Sequence, residues 1–240
     1  MTKIAFVTDV LHFVGRPSVT ALKANGFQVF ATDKDFTDAD KAASFENKFG
    51  VTAIAPASPD DMIAQIIDQA GRLDVLVSND AHPADKAPLG EITEGFLDDV
   101  YKNLITQPYL IAQAAAAPMR AQKDGKIIFV TSAAPLRGIP NYGPYAMARG
   151  AVNAMVNTLA QELGRDNIQV NALAPNFVES EDYFPKALRD DPEIAARILS
   201  RVPLKRFGTP EEAGEAVAFL ASPDCRFITG HVLPFAGGWA

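Results

Sequence analysis

Cysteine is nearly absent from this 240-residue chain: Cys225 stands alone, so no intramolecular disulfide can form and a cross-linked secreted scaffold is excluded. Positive charge is in deficit. Lys and Arg number 22 against 29 Asp and Glu, a formal net charge of −7, and such a surface repels nucleic acid and anionic lipid. No apolar run approaches the ~18 residues needed to span a bilayer. The start, Met1-Thr2-Lys3 followed by Ile4-Ala5-Phe6-Val7, lacks the apolar length and small-residue cleavage site of a signal peptide. His12, His82 and His231 lie far apart without metal-ligand spacing, so no metal site is expected. Glycine is scarce in one telling place: the chain holds 16, yet only Gly15 falls in the turn after the first apolar run. What is present is an ordinary globular composition, 48% apolar and 21% charged, in a chain long enough to bury a large core. A cytoplasmic protein with no nucleic-acid or membrane partner is expected.

Seven short apolar runs, at 4–8, 27–32, 51–55, 75–79, 126–131, 168–173 and 232–235, alternate with helical stretches such as 59–70, 93–119, 145–164 and 210–221. The runs are continuous rather than alternating, as strands buried on both faces of a parallel sheet are. The pattern predicts a single Rossmann-like α/β domain over 1–240, a doubly wound parallel sheet of about seven strands flanked by helices. The 145–164 helix carries two apolar stripes, Ala148-Val152-Met155-Leu159-Leu163 and Tyr145-Arg149-Val152-Val156-Ala160, and 93–119 is similar, with Pro108 expected to kink or split it. Two apolar faces need two partners, so a homo-oligomer, dimer or tetramer, is expected through these helices. The stretch 175–209 has four prolines and no strand signal, and it starts at the carboxyl end of a strand. It reads as a lid or binding loop.

The first run and its turn read Thr8-Asp9-Val10-Leu11-His12-Phe13-Val14-Gly15. A dinucleotide fold needs glycines here so that backbone amides can approach a pyrophosphate at a helix N-terminus. With Phe13 where that approach would occur, the nucleotide site reads as lost. Asp33 closes the second run, where a lone acidic residue is more often a turn residue or cap than a ribose ligand. The fifth run ends at Thr131-Ser132, and Tyr145 and Arg149 follow, four residues and hence one helical turn apart on one face. A guanidinium near a phenol favours the phenolate, and arginine keeps its own proton, so it acts as a permanent cation. Ser132 can hold a substrate oxygen against Tyr145. Such a trio suits deprotonation of an alcohol or protonation of an alkoxide, although a buried Tyr–Arg pair taken alone is more often structural.

Segments across nearly the whole chain carry a family resemblance. Leu73-Asp74-Val75-Leu76-Val77-Ser78-Asn79, Asn103-Leu104, the Ser132/Tyr145 spacing, Arg206-Phe207-Gly208-Thr209-Pro210-Glu211-Glu212, Phe219-Leu220-Ala221-Ser222 and Ile228-Thr229-Gly230 with Gly237-Gly238 resemble the short-chain dehydrogenase/reductase superfamily. Two linked departures, Phe13 in a glycine-poor turn and Arg149 where the superfamily usually has Lys, resemble the halohydrin dehalogenases, which keep the reductase fold without a nicotinamide cofactor. Asp80 after Val77-Ser78-Asn79, and Pro175-Asn176-Phe177 after the sixth run, resemble the same family. Asn103 instead matches the ordinary reductases; locally it reads as satisfying backbone at the Pro108 irregularity.

The resemblance implies reversible displacement within one substrate molecule: a vicinal haloalcohol closes to an epoxide with release of halide and a proton. It also implies epoxide opening by azide, cyanide or nitrite. Tyr145 would be the base, Arg149 would keep its phenolate accessible, Ser132 would bind the substrate oxygen, and Asp80 would pair with Arg149. A leaving halide needs fixed donors in a dry pocket. Phe13 and Pro175-Asn176-Phe177-Val178 would supply aromatic edges and the N–H groups of Phe177 and Val178. No cofactor and no metal are implied; the ligands would be small haloalcohols, epoxides, halide and other small anions. The alternatives are an NAD(P)-dependent short-chain oxidoreductase with an atypical Ser–Tyr–Arg site, and a catalytically silent binding subunit. Substrate preference would rest on 175–209, on 135–144 and on a neighbouring subunit's C-terminus around Trp239.

Overall fold

The apolar runs become strands that pair side by side. In the computed structural model, which describes residues 2–240, they are β1 (Ile4–Val7), β2 (Gln28–Thr32), β3 (Thr52–Ile54), β4 (Val75–Ser78), β5 (Gly125–Val130), β6 (Ile168–Pro175) and β7 (His231–Phe235). All are parallel, in the order β3-β2-β1-β4-β5-β6-β7. The helices are α1 (Gly15–Ala24), α2 (Ala39–Phe49), α3 (Pro59–Ala70), α4 (Glu94–Tyr101), α5 (Gln107–Gln122), α6 (Ala134–Arg137), α7 (Gly143–Leu163), α8 (Lys186–Arg189), α9 (Pro192–Leu199) and α10 (Pro210–Ala221). Successive strand residues face opposite ways, so each strand feeds two cores. Phe6, Ile127 and Phe129 pack with α3, α5 and α7 on one side, while Ala5, Val7, Ile128 and Val130 pack with α1, α2 and α10 on the other. Burial on both sides is why the runs lack alternation.

Strand ends match expectation within a residue or two, and β6 extends to Pro175 because its pairing with β7 continues to Phe235. Helices α1 and α2 add to those foreseen; with Phe45 the only buried residue of α2, its periodic signal is thin. The expected 93–119 helix is split by a π-turn at Lys102–Thr106, ahead of Pro108, which has no N–H to donate. Asn103 Nδ2 donates to the Asp99 carbonyl there at 2.8 Å, the backbone role read for it. The 175–209 stretch is not a bare loop but carries α8 and α9.

The two stripes of α7 call for a correction. Tyr145, Ala148, Arg149, Val152, Val156, Leu159, Ala160 and Leu163 are all buried within the single chain, and Met155 is partly buried, so the stripes by themselves do not call for a second subunit. Among the described residues, no helix is long and apolar enough to cross a membrane, and no group of three His, Cys, Asp or Glu side chains could hold a metal ion.

Candidate active site

Parallel pairing sends every carboxyl end to one edge, and the strand order reverses between β1 and β4, where open α/β sheets bind ligands. Segments following β1, β5 and β6 meet α7 there around a cavity of about 1110 Å³. Phe13, Ser132 and Tyr145 line it, as do Pro175, Asn176, Phe177 and Val178. Arg149 and Asp80 lie behind that wall, both buried.

Helix α7 sets Arg149 one turn beyond Tyr145, with the guanidinium 5.3 Å from the phenol ring centroid. Its fork is held by main chain: Nη1 donates to the Val130 carbonyl at 3.0 Å and Nη2 to the Asp80 carbonyl at 2.7 Å. Burial works against its charge, but the phenols of Tyr145 and Tyr183 and the Asp80 carboxylate outweigh it and raise the Arg149 pKa above its ordinary value. The expected carboxylate–guanidinium pair is thus a contact to the Asp80 backbone instead. The Asp80 carboxylate accepts from Ser78 Oγ at 2.6 Å. Burial, with the nearby Asp9 charge, pushes Asp80 up to about 7 against the opposing pull of Ser78 and Arg149. Burial likewise pushes Asp9 up to about 6, although the Ala81 N–H opposes it.

Ser132 sits just past β5. Its Oγ accepts from the Ala134 N–H at 3.1 Å, and the Pro175 carbonyl lies at the 3.5 Å limit for its own proton. Among the described residues that hydroxyl proton therefore has only a weak acceptor.

Phe13 and Phe177 have φ of +42° and +56°, a left-handed backbone rare for aromatic residues and held here by surrounding contacts. The expected pair of N–H donors at the β6 end is reduced: the Phe177 N–H donates to Asn176 Oδ1 at 2.9 Å. The buried Asn176 Nδ2 has no partner among the described residues.

The first turn holds its own polar groups. Asp182, from the segment after β6, accepts from the Phe13 N–H at 2.7 Å and lies 3.0 Å from His12 Nδ1. That hydrogen bond raises the His12 pKa and lowers that of Asp182. Asp33 accepts from the Leu11 and Asp35 N–H groups at 2.9 and 3.1 Å, capping the turn at Lys34–Thr37. Gly15 serves packing, since a Cβ there would meet Val10 Cα at 2.6 Å.

Asp182 and Tyr183 were not foreseen as site residues. The Tyr183 ring stands edge-on to Phe13 at 4.8 Å and 6.4 Å from the Tyr145 ring, and its hydroxyl donates to the His82 carbonyl at 3.0 Å. Burial raises its pKa above the usual phenol range. The one cue in the sequence was an aromatic pair, Tyr183-Phe184, inside an acidic, proline-bounded stretch. Trp239 lies in this chain's own cavity, edge-on to Phe177 at 5.4 Å, with its carbonyl accepting from Arg137 at 2.7 Å.

Residues 12–240 match the family model described as enoyl-(acyl carrier protein) reductase. The chain is 32% identical to the 3-oxoacyl-(acyl-carrier-protein) reductase FabG of Staphylococcus epidermidis, with 99% of each covered. A solved structure described as a dehalogenation enzyme is 43% identical at a TM-score of 0.97, covering 100% of this chain and 98% of that one. A halohydrin dehalogenase, HheC, bound to ethyl (2S)-oxiran-2-ylacetate is 35% identical at a TM-score of 0.95, covering 98% and 96%. From its parallel sheet, its family match and these full-length relatives, the chain belongs to the short-chain dehydrogenase/reductase family.

Proposed function

We propose that this chain is a halohydrin dehalogenase, a carbon–halide lyase that works without a nicotinamide cofactor. The observation that carries the reading is the first turn. Its Phe13 N–H, which a dinucleotide fold would offer to a pyrophosphate, is taken by the Asp182 carboxylate, and Asp33 is taken by the Leu11 and Asp35 amides. A nicotinamide dinucleotide does not fit that arrangement, so no step is routed through one. Likeness to two dehalogenating enzymes supports the same reading.

The Tyr145 phenolate oxygen accepts the hydroxyl proton of a vicinal haloalcohol, and the alkoxide attacks the neighbouring carbon. The carbon–halogen bond breaks, the halide leaves with the bonding pair, and the epoxide forms. Arg149, buried and held by two carbonyls, keeps a fixed positive charge beside the phenol. Ser132, its oxygen already accepting from Ala134, donates its proton to the substrate oxygen. Asn176 Nδ2 and the Val178 N–H serve the developing halide among the edges of Phe13, Phe177 and Tyr183. Run backwards, the site opens epoxides with halide, azide, cyanide or nitrite. A homo-oligomer belongs to the reading, supported by the exposed Tyr109 and Leu110 on α5 and Met147 on α7.

A reductase reading is favoured by the likeness to FabG. Halide release from a simple bromohydrin, followed with and without added nicotinamide dinucleotide, separates the two. Release is expected without nucleotide and should fall by about 10²–10⁴-fold in Tyr145→Phe. Carbonyl reduction that requires the nucleotide would overturn the proposal.

A further inference from the structure

The cavity has a cationic mouth. Helix α9 and the residues just after it turn one face toward it: Ile194, Arg197, Ile198 and Arg201. The neighbouring basic side chains are neutralised or bound. Arg189 pairs with Glu179 at 2.7 Å, Lys186 with Asp190 at 2.7 Å and Arg206 with Glu212 at 2.6 Å, and Lys205 donates to the Ser200 carbonyl at 2.9 Å. Arg197 and Arg201 line the cavity, and neither guanidinium has an ion-pair or hydrogen-bond partner among the described residues. Arg137 also lines it; one of its N–H groups goes to the Trp239 carbonyl, and no carboxylate among the described residues pairs with it. Of the acidic lining, Asp182 is already held by His12 and the Phe13 N–H, leaving Asp85. A chain of net charge −7 thus carries unpaired positive charge along its cavity.

We propose that Arg197 and Arg201 bind an oxyanion, a carboxylate or a phosphate, at the far end of the substrate. Arg197 stands in the last turn of α9 and Arg201 two residues past its end, and each guanidinium presents a fork of N–H donors suited to such a group. The wall that they share with Tyr145 includes Ile139, Phe184, Leu188, Ile194 and Ile198, which suits an apolar linker. The cavity, at about 1110 Å³, exceeds the usual range for a small-molecule site and leaves room for that linker. The preferred substrates are therefore haloalcohols or terminal epoxides on an apolar chain that ends in an oxyanion. The assignment rests on the dehalogenase reading for its chemistry, but not for the anion site itself.

The test uses terminal epoxides with linkers of increasing length that end in carboxylate, methyl ester or phosphate, opened by azide. At the best length, the wild type should favour the carboxylate or phosphate over the ester in kcat/KM by about ten-fold or more. The preference should weaken as salt is raised, and the acid-to-ester ratio should fall toward one in Arg197→Gln/Arg201→Gln. The larger of the two charged advantages identifies the oxyanion. A ratio near one in the wild type, or one unchanged in the double variant, would overturn the proposal. Saturated analogues of the same acids, tested by thermal shift, give a readout independent of turnover. If they stabilise the wild type but not the double variant while no epoxide or haloalcohol reacts, the dehalogenase reading fails and the anion site stands. If neutral epoxides react while the acids give neither rate advantage nor shift, the anion site fails and the reaction stands.

Discussion

The two walls of the cavity are built by opposite rules. On the β5–α7 wall, Ser132 and Tyr145 present polar groups to the cavity, and Arg149 is braced from behind by the Val130 and Asp80 carbonyls. On the β1 wall, Phe13 turns its N–H to Asp182 and its ring to Tyr183. One wall offers its groups to a ligand; the other has them occupied by the protein. A parallel sheet allows this because each strand end is an independent platform: altering the turn after β1 leaves the register of β5 and α7 untouched.

The largest effect should come from breaking the first wall. Arg149→Met leaves two buried carbonyls without donors and removes the fixed charge beside Tyr145. Loss of about 3–5 kcal/mol in urea unfolding is expected, with halide release lowered at least a hundred-fold. Arg149→Lys keeps a charge but cannot fork between the two carbonyls, so it should regain stability more than rate. Equal recovery of both would mean that Arg149 acts as a bare charge and that its bracing is incidental.

How each wall is built also decides what could be read in the sequence. Ser132, Tyr145 and Arg149 follow from one strand end and one helical turn, so spacing alone brings the last two together. The strands were legible for a similar reason: residues buried on both faces must be continuously apolar. The β1 wall depends on Asp182, 169 residues from Phe13, and no local pattern encodes a contact across that distance. What remained readable there was the shortage of glycine, on which the nucleotide site is expected to be lost, without any sign of what would occupy the turn instead. The Asp80 contact was expected as a side-chain pair from the family resemblance, which reports which residues meet, not which atoms. For α7, two apolar faces were legible, but not that the sheet on one side and the π-turn region on the other would cover both.

A middle-sized effect probes the second wall through pH. The His12 pKa is raised from 6.5, so its share of stability is complete below about 6.5 and is lost as pH rises through the higher folded value. Asp182 is lowered from 3.8, so its share is present above about 3.8 and lost as pH falls through the lower folded value. The stability difference between wild type and Asp182→Asn should therefore be largest between about pH 4 and 6.5, near 1 kcal/mol for a partly exposed pair, and shrink on both sides. Total stability carries an opposite trend, because Asp9 and Asp80, raised to about 6 and about 7, disfavour the fold progressively as they ionise above pH 4. Subtracting the two unfolding profiles removes that background. A difference that falls on the acid side but stays flat through the His12 titration would mean that Asp182 holds the turn through the Phe13 N–H alone.

The smallest effect should follow Phe13→Gly, and it decides what closes the β1 wall. Glycine accepts the φ of +42° without strain, a gain of about 1 kcal/mol. Loss of the edge-on contact with Tyr183 costs about 0.5–1.5 kcal/mol, so net stability should change by no more than about 1 kcal/mol. Nicotinamide dinucleotide should still produce no thermal shift, because the residue 13 amide remains bonded to Asp182 and Asp33 remains engaged with Leu11 and Asp35. Nucleotide binding in Phe13→Gly alone would make the aromatic ring the barrier. Binding that appears only after Asp182→Ala is added would assign the barrier to the carboxylate, an anion that takes the Phe13 N–H just ahead of the α1 N-terminus, where a phosphate would sit.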